Sequence, residues 1–276
     1  MEFPDNAGFA GGVNRGIKKA IKDRYGFVAL FNNDAVASKD WLKQLVESAN
    51  EHRNAGIVTG KFMQMDKKHI DSTGDLYTTW GLPFPRGRDQ LDKGQFNIPE
   101  FVFGATGGAS LYRVEMLEQI GLFDEDFFAY YEDVDISFRA QLAGYKVWYE
   151  PKAIAYHATG STSNKIKGFT TYQTFKNQPL LIIKNIPDKL MLKILPRFTL
   201  VYLSIGLSSL IGGRGWPAFK GFCVMLYLLP KKLKERWSIK NSSQTDTKYI
   251  ESILTDDLPP NATKLRKLRK VFTGKN

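Results

Sequence analysis

Two hydrophobic periods alternate along the first half of the chain. In "NRGIKKAIKDR" the apolar residues Ile17 and Ile21 stand four apart, the spacing of one helix face, and "GFVALFNND" follows as an apolar run of strand length. Ser38 is placed to cap a helix over "KDWLKQLVESANEH", with Trp41, Leu45 and Ala49 on one face, and "AGIVTGKFM" reads as the next strand. Helix, strand, helix, strand with short links predicts an α/β fold around a mixed, mostly parallel sheet.

The pattern then breaks. Residues 66–100 are polar and rich in Gly, Pro, Tyr and Trp, which predicts an irregular or β-hairpin insertion of the kind that covers a site. Regular structure returns in "PEFVFGATGGASLYRVEMLEQIGLFDEDFFAYYEDVDISFRAQLAGYKVWYEP". This stretch predicts a strand, a small-residue turn, a strand, a helix over 114–120, an aromatic and acidic loop, a helix from about Asp133 to Ala143 closed by Gly144, and a final strand.

Charge divides the chain of 276 residues more sharply than hydropathy does. Residues 1–160 carry 18 Lys and Arg against 22 Asp and Glu, whereas residues 161–276 carry 21 against 6. The sequence therefore predicts a first domain over 1–163, a basic apolar helical segment over 164–240, and a polar basic tail over 241–276 that is partly disordered. In the middle segment "LPRFTLVYLSIGLSSLIGG" and "WPAFKGFCVMLYLLPKKLKERW" mix apolar runs with Lys, Arg and Trp, which suits an anionic membrane surface better than a nucleic-acid groove. Nucleic acid is not an expected partner. The longest apolar run, Phe198 to Ile211, falls short of the roughly 20 residues a spanning helix needs, so an interfacial or re-entrant element is expected. The alternatives are helices packed on the first domain and one true span.

The single cysteine, Cys223, leaves no internal disulfide and no cysteine-rich zinc site, in keeping with a reducing compartment. "MEFPDNAGFAGG" has neither a basic nor an apolar leader region, so no signal peptide is expected.

Candidate chemistry sits where predicted strands end, because ligands of open α/β sheets bind at the carboxyl ends of strands. Asn32, Asn33 and Asp34 form one such end. A carboxylate flanked by amides suits Mg²⁺ or Mn²⁺ shared with phosphates, since such ions take one or two protein carboxylates and fill their shell with phosphate and water; the alternative is an ordinary Asn/Asp turn. Glu132, Asp133 and Asp135 open a helix, where the dipole favours ionised acids, and Asp135 stands four residues before Arg139, a pair that can also serve structure alone. An ionised aspartate beside a substrate hydroxyl is what a general base requires. His157 ends another short apolar run and is either a metal ligand or a structural imidazole. The segments "NAGFAGGVNRG" and "FGATGGAS" permit close backbone approach to a ligand, yet neither is a P-loop and GxGxxG is absent.

Taken together, "NAGFAGGVNRGI", "FVALFNNDAVASKDWLKQLV" and "GATGGASLYRVEMLEQIGLFDEDFFAYYEDVDISFRAQLAGYKVWYEPKAIAYHATGS" resemble the family 2 inverting glycosyltransferases, which have a GT-A (Rossmann-like) fold. Within them the chain is similar to the rhamnosyltransferase type of bacterial cell-wall, capsule and O-antigen synthesis. The resemblance implies that Asp34, with His157, holds the Mg²⁺ or Mn²⁺ of a nucleotide-diphosphate sugar. It further implies that Asn32 and Asn33 stand in the family's acidic motif, and that Asn6, Gly8, Gly11, Gly12 and Asn14 flank the nucleotide. Asp133 would be the base, supported by Glu132 and Asp135. Gly104, Gly107 and Gly108 would line the acceptor pocket. The implied acceptor is a lipid-linked glycan at the cytoplasmic face of the membrane. Family members usually begin with a strand, a helix and a second strand before the motif at which this chain starts, so a non-catalytic glycan- or membrane-binding remnant is the alternative expectation.

Overall fold

The computed structural model describes residues 6–158, 166–258 and 266. Its elements are, in order, α1 (Gly8–Lys22), β1 (Phe27–Phe31), β2 (Ala35–Ala37), α2 (Trp41–Glu51), β3 (Ala55–Gln64), β4 (Ile70–Ser72), β5 (Asp75–Tyr77), β6 (Pro83–Pro85), β7 (Glu100–Val102), β8 (Ala109–Arg113), α3 (Val114–Ile120), α4 (Glu132–Leu142), β9 (Lys146–His157), α5 (Phe169–Asn185), α6 (Asp188–Ile211), α7 (Gly215–Ser242) and α8 (Thr247–Ser252).

The main sheet runs β1-β8-β3-β9-β2, with β4 added to β3 and β7 to β9. β3 and β9 pair in parallel, and β8 lies antiparallel between β1 and β3, so β1, β3 and β9 share one direction. Their carboxyl ends therefore meet at one edge. Because β8 runs the other way, the turn that precedes it arrives at that same edge.

Side-chain alternation along the strands builds two cores. Ile57, Tyr112, Val147 and Tyr149 face α1, α3 and α4, while Val58, Phe62, Leu111 and Ala155 face α2 through Trp41, Leu45 and Ala49. Ser38 does not cap α2 with its side chain; its carbonyl accepts the Trp41 amide at 3.1 Å. The glycine-rich start is helical as well. α1 begins at Gly8, where φ is +69° and a Cβ would lie 2.3 Å from the Phe128 carbonyl oxygen, so only glycine fits.

A third core joins the two halves of the chain. Tyr77, Phe103, Phe127 and Phe138 from the first half bury against Leu180, Leu181, Ile182, Leu190, Ile194, Phe198, Met225 and Ile250 from the second. The basic segment thus packs on the domain along most of α5, and α8 with the buried Leu258 belongs to the folded body. α6 is 24 residues long, more than the apolar run in the sequence suggests, because the helix continues through Lys193, Pro196 and Arg197. It is the one described helix long and apolar enough to cross a membrane by length and composition, with a mean hydropathy of 1.6 over its best window. On one side it is held by Arg197, which donates to the Thr79 hydroxyl at 2.8 Å, and by Val201, buried with Trp80, Leu82 and Leu258. Its other side exposes Leu192, Leu200, Leu203, Leu207 and Leu210.

Candidate active site

At the shared edge β1 ends in Asn32, Asn33 and Asp34, and β2 turns back to pair with the end of β9, setting Ala35 opposite His157. This turn brings three polar groups together. Asp34 Oδ1 stands 3.3 Å from His157 Nε2, and Asn32 Nδ2 stands 3.4 Å from the same nitrogen. His157 stacks on Phe62, and its Nδ1 is 2.9 Å from Asp71 Oδ2. The carboxylate of Asp71 fixes the ring so that Nε2 points toward Asp34, the arrangement seen behind metal-ligating imidazoles. The hydrogen bond that the ring donates to the Asp71 carboxylate also raises the His157 pKa against the opposing effect of burial. Asn33 occupies the exposed tip of the turn and makes no part of this convergence.

The turn before β8 lies next to it. Asn32 donates its backbone N–H to the Gly108 carbonyl at 2.8 Å, and a Cβ on Gly108 would come within 2.9 Å of Asn32 Nδ2, so a larger residue there would displace the Asn32 side chain. Gly107 donates its N–H to Asp133 Oδ2 at 3.2 Å, and the Val134 amide donates to Oδ1 at 2.9 Å. Gly104 pairs with Asp75 across an isolated bridge. Burial raises the Asp133 pKa, partly offset by these backbone donors, and so gives the carboxylate more proton affinity than an exposed aspartate has.

Asp133 opens onto a cavity of about 260 Å³ shared with Asp75, Phe84, Arg88, Thr106 and Tyr130. Arg88 Nη2 lies 2.8 Å from Asp71 Oδ1. A line of ionisable groups therefore crosses the edge from Asp34 through His157, Asp71 and Arg88 to the two aspartates of the cavity. Sequence reasoning missed Asp71, Asp75 and Arg88, which lie in the insertion; the only signal there was the unusual concentration of aromatic, Gly and Pro residues over a polar stretch.

Other predicted residues take structural positions. Asn14 is buried, donating to the Phe123 carbonyl at 2.8 Å and to Glu125 Oε1 at 2.9 Å while accepting the Phe123 amide, so it ties α1 to the acidic loop instead of facing a nucleotide. Asn6 accepts the Gly8 amide at 3.0 Å, and Gly11 and Gly12 lie within α1. Asp135 does not reach the cavity. It is fully buried between Arg139 at 2.8 Å, Lys184 at 3.0 Å and Asn185 at 2.8 Å. The Asp135 pKa falls despite burial, because Arg139 and Lys184 stabilise the ionised form. Glu132 is buried beside Asp133, with Oε2 lacking a hydrogen-bond partner among the described residues, and its pKa is pushed well up by burial first and then by Asp133.

The C-terminal half holds the acidic loop in place. Asn177 of α5 donates to the carbonyls of Phe127, Ala129 and Tyr130 at 3.0, 3.0 and 2.8 Å, and Lys176 donates to those of Asp126 and Phe127. These bonds fix a backbone in which Phe128, Tyr130 and Tyr131 all have positive φ, the conformation that delivers Asp133 to Gly107. Asp124, Asp126 and Glu235 also converge, their oxygens all within 4.8 Å. Lys184 at 2.6 Å from Asp124, Lys231 at 2.6 Å from Asp126 and the wholly buried Lys232 at 2.7 Å from Asp126 already supply the positive charge, so this trio is an ion-pair hub.

The fold is of the GT-A type: a mixed sheet between helices, with an Asp-containing turn and a helix-borne aspartate meeting at one strand edge. Residues 2–170 match the family described as "Glycosyltransferase like family 2", and the chain belongs to it. The chain is 26% identical over 156 residues to the poly-beta-1,6-N-acetyl-D-glucosamine synthase of Staphylococcus aureus (strain COL), a match covering 56% of this chain and 35% of that protein. The Staphylococcus epidermidis synthase matches to the same extent, so the chain spans about a third of the length of these curated relatives. Among solved structures, GalNAc-T7 with UDP, GalNAc and Mn²⁺ superposes with a TM-score of 0.51 at 14% identity, over 68% of this chain and 36% of that one.

Proposed function

We propose that this chain is a metal-dependent inverting glycosyltransferase that moves a sugar from a nucleotide-diphosphate donor to a lipid-linked glycan. The observation that carries the reading is the convergence at one sheet edge of the Asp34–His157 pair and, across the Gly104–Gly108 turn, of Asp133. The pair offers one carboxylate oxygen and one imidazole nitrogen 3.3 Å apart, with the imidazole oriented from behind, which fits a Mg²⁺ or Mn²⁺ ion that shares its shell with phosphate oxygens. When bound, that ion would neutralise the departing diphosphate.

The chain's own residues supply the rest. The acceptor hydroxyl attacks the anomeric carbon as the carbon–oxygen bond to the diphosphate breaks, and its proton passes to the Asp133 carboxylate. Backbone donors from Gly107 and Val134 fix that carboxylate in place, and inversion needs no covalent intermediate. Rhamnose as the transferred sugar is favoured by the sequence resemblance alone. An N-acetylhexosamine is favoured by the products named for the curated relatives.

The membrane reading rests on the outward side of α6 and α7. There Leu203, Leu207 and Leu210 share the surface with Trp216, Phe219, Tyr227 and Trp237, interleaved with Arg214, Lys220 and Lys234. Such a face suits the headgroup boundary of an anionic bilayer, with the site held near its acceptor at the cytoplasmic surface.

Calorimetric titration with UDP and dTDP, with and without Mn²⁺, tests the donor site, and turnover of Asp133→Asn tests the chemistry. The variant should bind nucleotide normally and lose at least a hundredfold in kcat. A non-catalytic binding module would be indifferent to the substitution.

A further inference from the structure

The reaction above gives no task to Asp75. This residue stands on β5, in the insertion, yet its backbone exchanges two hydrogen bonds with Gly104: the Asp75 amide donates to the Gly104 carbonyl at 2.8 Å, and the Gly104 amide donates to the Asp75 carbonyl at 3.2 Å. Gly104 begins the turn whose Gly107 amide holds Asp133. The insertion is therefore bolted to the turn that orients the base, and both carboxylates line the same cavity from different walls, β5 and α4. At about 260 Å³ the cavity falls below the roughly 300–1,000 Å³ of whole-ligand pockets, the size class of a single sugar ring.

Two carboxylates around one small cavity, Asp75 buried and Asp133 half-buried, repel each other, and their surroundings are unequal. Asp133 accepts two backbone N–H bonds, which favour its ionised form. Asp75 is 7% exposed and faces Asp133 from α4, Arg88 from the loop after β6 and Asp71 from β4. Arg88 is the one cation among these groups, and it is already paired to Asp71. Of the two, Asp75 has the surroundings that favour the neutral acid, and the backbone donors favour the negative charge on Asp133.

We propose that Asp75 and Asp133 act as a pair on the acceptor sugar, with Asp75 donating a hydrogen bond to one sugar oxygen while Asp133 accepts the proton of the attacking hydroxyl. Asp75 is then a substrate-contacting residue that selects acceptors carrying an oxygen beside the reacting one. This assignment rests on the glycosyl-transfer reading of the site. In support, burial and then the Asp133 charge push the Asp75 carboxyl up to about 8, so it retains its proton through the neutral range.

The test uses the full chain with Mn²⁺ and a set of UDP- and dTDP-linked sugars. Nucleoside diphosphate release is followed with water alone and with N-acetylglucosamine linked to a prenyl diphosphate in detergent micelles. Asp75→Asn keeps an N–H donor and should hold kcat/KM for the acceptor within threefold at pH 7, while removing the fall in kcat/KM that the native chain shows above about pH 8. Asp75→Ala should raise the acceptor KM at least tenfold. The pairing is overturned if Asp75→Asn is as impaired as Asp75→Ala, or if Asp75→Ala leaves the acceptor KM within twofold. Loss of transfer in Asp133→Asn alongside an indifferent Asp75→Ala would overturn the pairing and leave the glycosyltransferase intact. A native chain that releases no nucleotide under either condition overturns both.

Discussion

Replacing Asn177 with leucine removes the clamp on the loop that leads into Asp133, the proposed base, while keeping the side-chain volume nearly constant. The loop holds Phe128, Tyr130 and Tyr131 at φ of 63°, 67° and 73°. Each such residue costs roughly 1–3 kcal/mol, so the loop stores at least about 3 kcal/mol of backbone strain. Against it Asn177 sets its two side-chain N–H groups among three carbonyl oxygens at 2.8 to 3.0 Å, worth roughly 2 kcal/mol net together, with a further penalty of about 1 kcal/mol or more for carbonyls left buried without donors. The two sums are of the same size, so without the clamp the loop relaxes toward ordinary backbone and draws Asp133 from Gly107. If the full ~3 kcal/mol appeared in the barrier, kcat would fall about a hundredfold; the expected loss is therefore ten- to a hundredfold. Nucleotide binding should not change, because Asp34 and His157 stand at the ends of β1 and β9, where Asp71 and the β2–β9 pairing hold them. The assay is steady-state release of nucleoside diphosphate beside calorimetric binding of UDP and dTDP, with hydrogen exchange of the 127–131 amides as the structural readout. A kcat within twofold of the native chain, or a kcat loss matched by an equal loss of nucleotide affinity, would refute this reasoning.

Asp34→Ala should abolish Mn²⁺-dependent binding of UDP and dTDP in the same calorimeter, and binding that persists would remove Asp34 from the metal site. Lys232→Met takes one cation from a hub in which Asp124 keeps Lys184 and Asp126 keeps Lys231, so the cost falls at the low end of buried-pair losses, about 3 kcal/mol, or a Tm lower by about 6–12 °C; a shift under 1 °C in a thermal scan would contradict the hub. The depressed Asp124 pKa adds stability above the ordinary carboxylate range of about 3.9, lost as pH falls through the lower folded value. Acid unfolding of the native chain should therefore begin below about pH 4 and that of Asp124→Asn should be less steep with pH, as followed by circular dichroism. Leu203→Glu with Leu207→Glu should weaken co-sedimentation with anionic liposomes at least tenfold without changing Tm, whereas unchanged sedimentation would rule out α6 as the lipid-facing helix.

Much of the fold was legible because its signals are local. The four-residue spacing of Trp41, Leu45 and Ala49, the glycine after α4 and the apolar runs of β1 and β3 are each fixed within a dozen residues. The Asn-Asn-Asp ending and His157 were legible as strand ends, and the parallel β3–β9 pairing with β2 folded back explains why they meet. What was not legible was non-local. The Asp135–Arg139 pair could be read from its four-residue spacing, but Lys184, 49 residues from Asp135, and Phe123, 109 residues from Asn14, complete the surroundings of these two side chains. The boundary drawn from charge near residue 163 marks a change in composition, and α5 nonetheless packs into the core of the first half. Truncating there would remove the loop clamp along with any lipid contact, and cutting α5 after Asn177 would still take Lys184 and Lys232 from the hub, so charge substitutions on the outer side of α6 are the cleaner probe.

The ion-pair hub also sets an order of events during synthesis. Asp124 leaves the ribosome 108 residues ahead of Lys232, its buried partner, and at 5–20 residues per second that interval lasts about 5–20 s. Throughout it the loop that delivers Asp133 lacks both the cation on α7 and part of the wall that α5 to α7 build behind it. The nascent chain is thus expected to remain catalytically silent until the helices with the exposed leucines and tryptophans have emerged, so that competence arrives in the same few seconds of translation as the apolar surface proposed to face lipid.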